Sequence, residues 1–320
     1  MKYIVTGGAG FIGYRLISNL LVSGHSVIAI DNLCRGSLSN IAEFSGDPNF
    51  SFHQVNLDNY DELIDALPPF GNLYIDAVWH LAANSDIPAG VKDAAVDLRD
   101  TFMTTFNVLR YMQAAKIPEL FFASTSAVYG DHGDNELTEL TSPLRPISNY
   151  GAMKLASEAQ ICAACESFLR RALIFRFPNV VGTPATHGVI YDFVNKLKIN
   201  PNELDVLGDG SQQKSYLHVS ELVDAMQFLV ENTNKKYDVF NIGPDQDSGV
   251  TVKFIAQTVL NIACPNAKIK YGLGSKGWVG DVPRFNYSIA KIRDLGWAPK
   301  MKSQQTIELA VREIFEELSR

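Results

Sequence analysis

The chain opens MKYIVTGGAGFIG, residues 1–13. Tyr3-Ile4-Val5 is a short apolar run closing on Thr6, the pattern of a parallel strand buried on both faces. Gly7, Gly10 and Gly13 follow at the spacing G-x-x-G-x-x-G. Beyond them Phe11, Ile12, Leu16, Ile17, Leu20 and Leu21 recur at helical intervals until Gly24 supplies a stop. Strand, glycine turn and helix make a phosphate cradle. The glycines let the backbone turn tightly and approach a pyrophosphate, which rests on the helix N-terminus. A glycine pattern alone is weak. Here it follows a strand and precedes a helix, the context that separates a dinucleotide site from an ordinary glycine-rich turn.

Composition narrows the possibilities. The chain has 320 residues, 46% of them hydrophobic, enough for a large core in one domain or in two sharing a cleft. The formal net charge of −7 and the lack of a basic block argue against a nucleic-acid partner. No apolar run approaches a membrane span, and Met1 leads straight into a strand, so the expected compartment is the cytoplasm. Cys34, Cys162, Cys165 and Cys264 are too scattered for a disulfide framework. Cys162 and Cys165 have redox-motif spacing but lie in an Ala-rich helical run, where they read as packing residues. No His, Cys and Asp cluster has metal-ligand spacing, so no metal is expected.

Taken in order, the pattern alternates strand and helix. Strands are expected at 27–30, 50–55, 75–80, 120–123 and 173–177, and long helices at 91–116 and 148–171. The alternation predicts an α/β fold with a doubly wound (Rossmann) parallel sheet. Ligands in such sheets bind beyond the carboxyl ends of the strands. Gly7, Asp31, Ala82, Thr125 and Asn179 all fall at expected strand ends, so five positions are expected to converge on one crevice. Asp31 stands about 20 residues past the glycine turn, where a carboxylate accepts the adenosine ribose hydroxyls and repels a 2′-phosphate, favouring NAD over NADP. Arg35, four residues on, would soften that preference. After Asn179 segments shorten and Gly, Pro and Asn multiply. The expected division is a cofactor domain from 1–178 plus 219–242 and a smaller substrate lobe from 179–218 plus 243–320.

The sequence Tyr150-Gly-Ala-Met-Lys154 sets a phenol and an ammonium on one helix face. A phenol titrates near 10 and is a poor base at neutral pH. A nearby Lys cation and a cationic nicotinamide ring would stabilise the phenolate, and Thr125 offers a hydroxyl to the same reacting oxygen. His80 and His218 read as structural histidines, and His187 as a lone histidine without a partner motif.

The variant GGAGFIG resembles the extended short-chain dehydrogenase/reductase superfamily. With DNLCRG (31–36), HLAA (80–83), STSAVYG (124–130), PISNYGAMK (146–154), RFPNVVG (176–182), GDGSQQKSYLHV (208–219) and GWVGDVP (277–283), the chain resembles the NAD-dependent sugar-nucleotide epimerase/dehydratase family over nearly its whole length. It is closest in pattern to that family's UDP-glucose (galactose) 4-epimerases of the shorter archaeal and bacterial kind. The resemblance implies a catalytic triad of Thr125, Tyr150 and Lys154. It implies an NAD site of Gly7, Gly10, Phe11, Ile12, Gly13, Asp31, Asn32, Arg35, Gly36, Asn56, Leu57, Leu81, Ala82, Ala83, Tyr150 and Lys154. The substrate positions it implies are Ser85, Thr125, Ser126, Tyr150, Asn179, Val189, Lys214, Tyr216 and Asp281. It also implies a UDP-hexose substrate and a homodimer built on the two long helices.

The departures from the family pattern concern substrate. Lys214 stands where Arg is usual, keeping charge but losing the bidentate fork. Asn56 replaces a frequent Asp, Thr101 a frequent Asn, and the Arg expected near Asp281 is replaced by Lys276 or displaced to Arg284. In the family's dehydratases a carboxylate pair follows the catalytic Thr, where this chain has Ser126 and Ala127. The expected function is a nucleotide-sugar 4-epimerase working through a transient 4-keto sugar. The alternatives are an epimerase of an uronate, an N-acetyl sugar or a CDP- or GDP-sugar, or a 4-keto reductase.

Overall fold

The computed structural model describes residues 1–67, 74–133, 135–244, 249–274 and 286–319. The first half runs β1 (Lys2–Thr6), α1 (Phe11–Val22), β2 (Ser26–Asp31), α2 (Leu38–Ile41), β3 (Phe50–Gln54), α3 (Tyr60–Ala66), β4 (Ala77–His80), α4 (Ile87–Lys92), α5 (Ala94–Asp97), α6 (Thr104–Ala115) and β5 (Glu119–Ala123). It continues through β6 (Glu136–Leu137), α7 (Asn149–Ser167), β7 (Arg171–Arg176), β8 (Asn179–Val181), α8 (Val189–Ile199), β9 (Glu203–Val206), β10 (Gln213–Lys214) and β11 (Tyr216–His218). The remainder is α9 (Val219–Asn232), β12 (Tyr237–Asn241), β13 (Val250–Thr251), α10 (Val252–Ala263), β14 (Lys268–Tyr271), β15 (Asn286–Tyr287), α11 (Ala290–Asp294) and α12 (Ser303–Ser319).

Seven strands form one sheet in the order β12-β7-β5-β4-β1-β2-β3. From β7 to β3 each neighbouring pair is parallel, with Val5 opposite Ala29 and Trp79, and Trp79 opposite Phe121. Both faces are buried, which explains the unbroken apolar runs. Ile4, Val78, Leu120 and Ile174 face Val108, Met112 and Ile161 of the helices. The opposite face carries an aromatic row, with the Trp79 ring 4.7 Å from Phe121 and 6.2 Å from Phe175.

The chain divides into two compact units: residues 1–130, 142–176 and 226–240, and residues 131–141, 177–225 and 241–320. Two longer stretches and the boundary pairs 177–178 and 241–242 fall on the other side from the expected division. Residues 131–141 group with the second unit because β6 pairs with β15, and residues 219–225 of α9 group there as well. The second unit is built on short ladders, β8 with β11, β9 with β14 and β10 with β13. Its core gathers Phe193 and Leu197 of α8, Ile255 and Val259 of α10, and Ile307 and Val311 of α12.

The helix expected over 91–116 is broken. Asp93 is extended (φ −142°, ψ 105°), and its carboxylate caps the next turn at Ala95 N. A π-helical stretch then covers Leu98–Met103. The Thr104 and Thr105 hydroxyls donate to the Thr101 carbonyl, the local competition that makes Thr a poor helix-interior residue. Among the described residues no helix is long and apolar enough to cross a membrane.

Candidate active site

The glycine turn forms as its spacing requires. Gly7 has φ +68°, and a Cβ there would lie 2.9 Å from Ala82 N. A Cβ on Gly13 would lie 2.1 Å from the Gly7 carbonyl oxygen. Gly10 caps α1 with no side-chain partner for the first-turn amides, so Phe11, Ile12 and Gly13 open a helix whose N-terminus suits an anion. The Thr6 hydroxyl accepts from Leu81 N and Ala82 N at 3.1 and 3.2 Å, drawing the segment after β4 across the turn, with Ala83 and Ser85 following. His80 is wholly buried between Thr6 Oγ1 (2.7 Å) and Thr105 Oγ1 (3.0 Å), and burial pushes it down to about 3, so it is a neutral structural residue.

Asp31 closes β2 and is 8% exposed. Its carboxylate accepts from Ala9 N and Leu33 N, and burial still raises its pKa. The loop after it folds onto Ala9: a Cβ on Gly36 would lie 2.8 Å from the Ala9 carbonyl, and Ser37 N donates to that carbonyl. Asn32 donates to the Asn56 side chain at 3.2 Å. Two expected cofactor positions are otherwise engaged. Arg35 is paired with Asp86, which also caps α4. Leu57 has its side chain in the core, and its carbonyl accepts from Asn107.

Thr125 stands two residues past β5; its hydroxyl accepts from Ala127 N at 3.1 Å and lies close enough to the Tyr150 phenol on α7 to oppose the rise in that phenol's pKa. Ser148 caps α7 by accepting from Gly151 N, which fixes the turn that carries Tyr150. One turn further, Lys154 is 2% exposed, and its Nζ donates to the Ala123 carbonyl at 2.6 Å. Burial pushes the phenol up to about 12, with the Thr125 hydroxyl opposing the rise and Asp97 adding to it. Burial likewise pushes Lys154 down to about 7 against the pull of Glu158. The ammonium is aimed at a carbonyl rather than at the phenol, with Nζ 6.0 Å from the Tyr150 ring centre.

Gly7, Asp31, Ala82 and Thr125 lie at or just past strand ends of the first unit, and Asn179 opens β8 in the second. Ser126 is buried in the turn after Thr125. In the second unit Val189 opens α8, and Lys214 lies in β10. Tyr216 is a core residue whose backbone is held on both sides by Ser303, so its side chain is committed to packing. Asp281, Lys276 and Arg284, with the GWVGDVP motif, lie outside the described residues. His218 ends β11 and bonds Ser220 and Glu313. All four cysteines are free. Among the described residues no group of His, Cys, Asp and Glu could hold a metal ion.

Sequence reasoning missed the buried groups behind the phenol and the lysine. Asp97 is fully buried beside Gly90, bonded to Asn84 at 2.8 Å. Glu158 and Arg176 form a buried fork. Glu158 lies one helical turn past Lys154, a spacing that by itself also describes an exposed carboxylate.

Residues 3–243 match the NAD dependent epimerase/dehydratase family. A crystal structure of a UDP-galactose 4-epimerase is 33% identical, with a TM-score of 0.84 over 99% of this chain and 100% of that one. The Thermus thermophilus UDP-glucose 4-epimerase in complex with NAD is 28% identical, with a TM-score of 0.83 over 98% and 99%. A dTDP-glucose 4,6-dehydratase of Neisseria meningitidis serogroup B is 31% identical over 93% of this chain and 88% of its own length.

Proposed function

Because the chain belongs to the NAD dependent epimerase/dehydratase family, and is therefore an enzyme, we propose that it is a nucleotide-sugar 4-epimerase of the UDP-glucose/UDP-galactose kind. The observation that carries the reading is the residue set around Tyr150, with Thr125 beside the phenol and Lys154 one helical turn on. The two residues after Thr125 are Ser126 and Ala127. Elimination of water from a sugar needs an additional acid and base. Ser126 and Ala127 supply neither, and the buried Glu158 carboxylate is held at both oxygens by Arg176.

The residues present fit NAD. The cradle excludes a Cβ at Gly13, the first turn of α1 has no side-chain cap, and Asp31 presents a carboxylate beside the turn. Gly7, Gly10, Phe11, Ile12 and Gly13 would hold the pyrophosphate, Asp31 the adenosine ribose, and Lys154 the nicotinamide ribose. Bound NAD supplies the acceptor for the hydride at sugar C4 and a positive ring charge beside the phenol. Tyr150 takes the proton from the 4-hydroxyl, and the Thr125 hydroxyl orients that oxygen. Tyr150 returns the proton once the 4-keto sugar has presented its other face. In this reading Asn179 and Lys214 keep the nucleotide diphosphate anchored while the sugar turns.

The test uses UDP-galactose labelled with deuterium at C4. The expected result is UDP-glucose with the label retained at C4 and no external NADH consumed. A requirement for stoichiometric NADH would make the enzyme a reductase. Solvent hydrogen at C5 with loss of water would make it a dehydratase like the Neisseria relative.

A further inference from the structure

Three consecutive residues at the end of β5 face α7, and two of them bond to it. The Ala123 carbonyl accepts from Lys154 Nζ at 2.6 Å. The Ser124 hydroxyl donates to Glu158 Oε1. The Thr125 hydroxyl lies beside the Tyr150 phenol. The outer two involve the residues given chemical roles above, and the middle one does not. Ser124, Glu158 and Arg176 are 1%, 3% and 4% exposed, so no solvent screens their contacts. Arg176, the last residue of β7, grips Glu158 in a fork, Nε to Oε1 at 3.0 Å and Nη2 to Oε2 at 2.6 Å. The guanidinium also lies over the Tyr129 ring, 4.9 Å from its centre.

A fork restrains its carboxylate in translation and in rotation, which a single point contact does not. Glu158 is thereby fixed to β7, and through Ser124 to β5. Both strands belong to the rigid sheet, so the helix that carries Glu158 is held against sliding and against rolling. A buried ion pair is a poor device for stability alone, since desolvating both charges cancels most of the attraction. Its geometric effect here is specific, because Lys154 lies one turn before Glu158 and Tyr150 one turn before that.

We propose that Glu158, locked by Arg176 and joined to the strand end through Ser124, is a positioning residue that sets the register of Thr125 against Tyr150 and Lys154. The proposal rests on the reading of those three as the catalytic groups. Misplacing positioned groups by about 1 Å costs up to about 10²-fold in rate, so the loss of the Ser124–Glu158 bond should be felt in turnover before it is felt in binding.

Two variants test this in the full chain loaded with NAD. Ser124→Ala removes the Ser124–Glu158 bond and leaves the ion pair intact, so folding is preserved. The double variant Glu158→Leu with Arg176→Met removes the pair without leaving a lone buried charge, an exchange that buried pairs often tolerate. Crystal structures report whether the bond from Lys154 Nζ to the Ala123 carbonyl persists and how far the Thr125 and Tyr150 hydroxyls stand apart, and steady-state kinetics with UDP-galactose report turnover. In each folded variant the expected result is an opened Lys154–Ala123 bond, more widely separated Thr125 and Tyr150 hydroxyls, and kcat lower by about tenfold. KM and the calorimetric affinity for NAD should stay within about twofold of wild type. An intact bond, or an unchanged kcat, overturns the proposal and leaves Glu158 a stability feature. If the double variant fails to fold, Ser124→Ala decides alone. If wild-type protein does not turn over UDP-galactose, the functional reading fails, and the Thr125–Tyr150 geometry in the variants still decides this one.

Discussion

Tyr150 and Lys154 are both displaced from their ordinary acidities, each toward its neutral form. Burial is the first cause in both cases, with the phenol pushed up to about 12 and the ammonium down to about 7. At neutral pH the phenol of this chain holds its proton, so its work as a base depends on positive charge brought beside it. Tyr150→Phe keeps the ring and removes the hydroxyl. Turnover should fall by about 10²–10⁴-fold, with NAD affinity in calorimetry unchanged. Lys154 carries a second consequence. Below about 7 it is protonated whether folded or unfolded. Between about 7 and its ordinary 10.5 the unfolded chain binds the extra proton, so stability rises with pH across that window. In Lys154→Met that part of the rise should vanish, as read from urea midpoints at about pH 6.5 and about pH 9.5.

At the scale of elements, the break between α4 and α6 governs how the first unit closes around Tyr150. Asn149, the first residue of α7, donates to the Gly90 carbonyl at 2.8 Å. Gly90 in turn backs onto Asp97, where an added Cβ would lie 1.7 Å from Oδ2. A continuous helix over the same residues would leave no capping turn at Asp93. Gly90→Ala must therefore push α4 and α5 apart. It should destabilise the protein by about 1–3 kcal/mol, the usual cost of overpacking a closed site. Gly46→Ala, where nothing lies within 4 Å of the added Cβ, is the matched control and should leave the urea midpoint nearly unchanged.

For the whole molecule the expectation is a homodimer through α6 and α7. The small and apolar residues of these helices have different surroundings. Ile161 and Ala164 belong to the chain's own core, while Ala159 and Ala163 are exposed on α7, and Phe102 and Phe106 are half-buried. Small residues on an exposed helix face let a second helix approach closely, and half-buried aromatic rings supply the area it would cover. Light scattering of wild type at micromolar concentration should give twice the chain mass. Ala163→Arg should give the chain mass with the fold retained by circular dichroism. A wild-type monomer would rule the dimer out.

What the amino-acid sequence determined by itself is the part of the protein governed by local rules. Strand, glycine turn and helix at 1–22, the alternation behind the parallel sheet, Asp31 at a strand end, and the one-turn spacing of Tyr150 and Lys154 follow from periodicity and backbone sterics. Those forces act between residues close in the chain, so they leave a readable pattern. Tertiary structure decided the rest. It holds the break in the helix expected over 91–116, where Asn149 of α7 bonds the Gly90 carbonyl and Gly90 packs on Asp97, while the Asp93 cap and the Thr104 and Thr105 back-bonds are local signals that the apolar period hid. It drew 131–141 into the second unit by pairing β6 with β15, buried Tyr216, and tied Arg35 to Asp86. It also buried Tyr150 and Lys154 and turned Nζ to the Ala123 carbonyl, so that burial is the first cause of shift in both groups. Glu158 shows the division most plainly. Its distance from Lys154 is written in the sequence, but its bonds to Ser124 and Arg176 exist only because β5 and β7 lie side by side beneath α7, and desolvation is a property of that packing and not of any spacing.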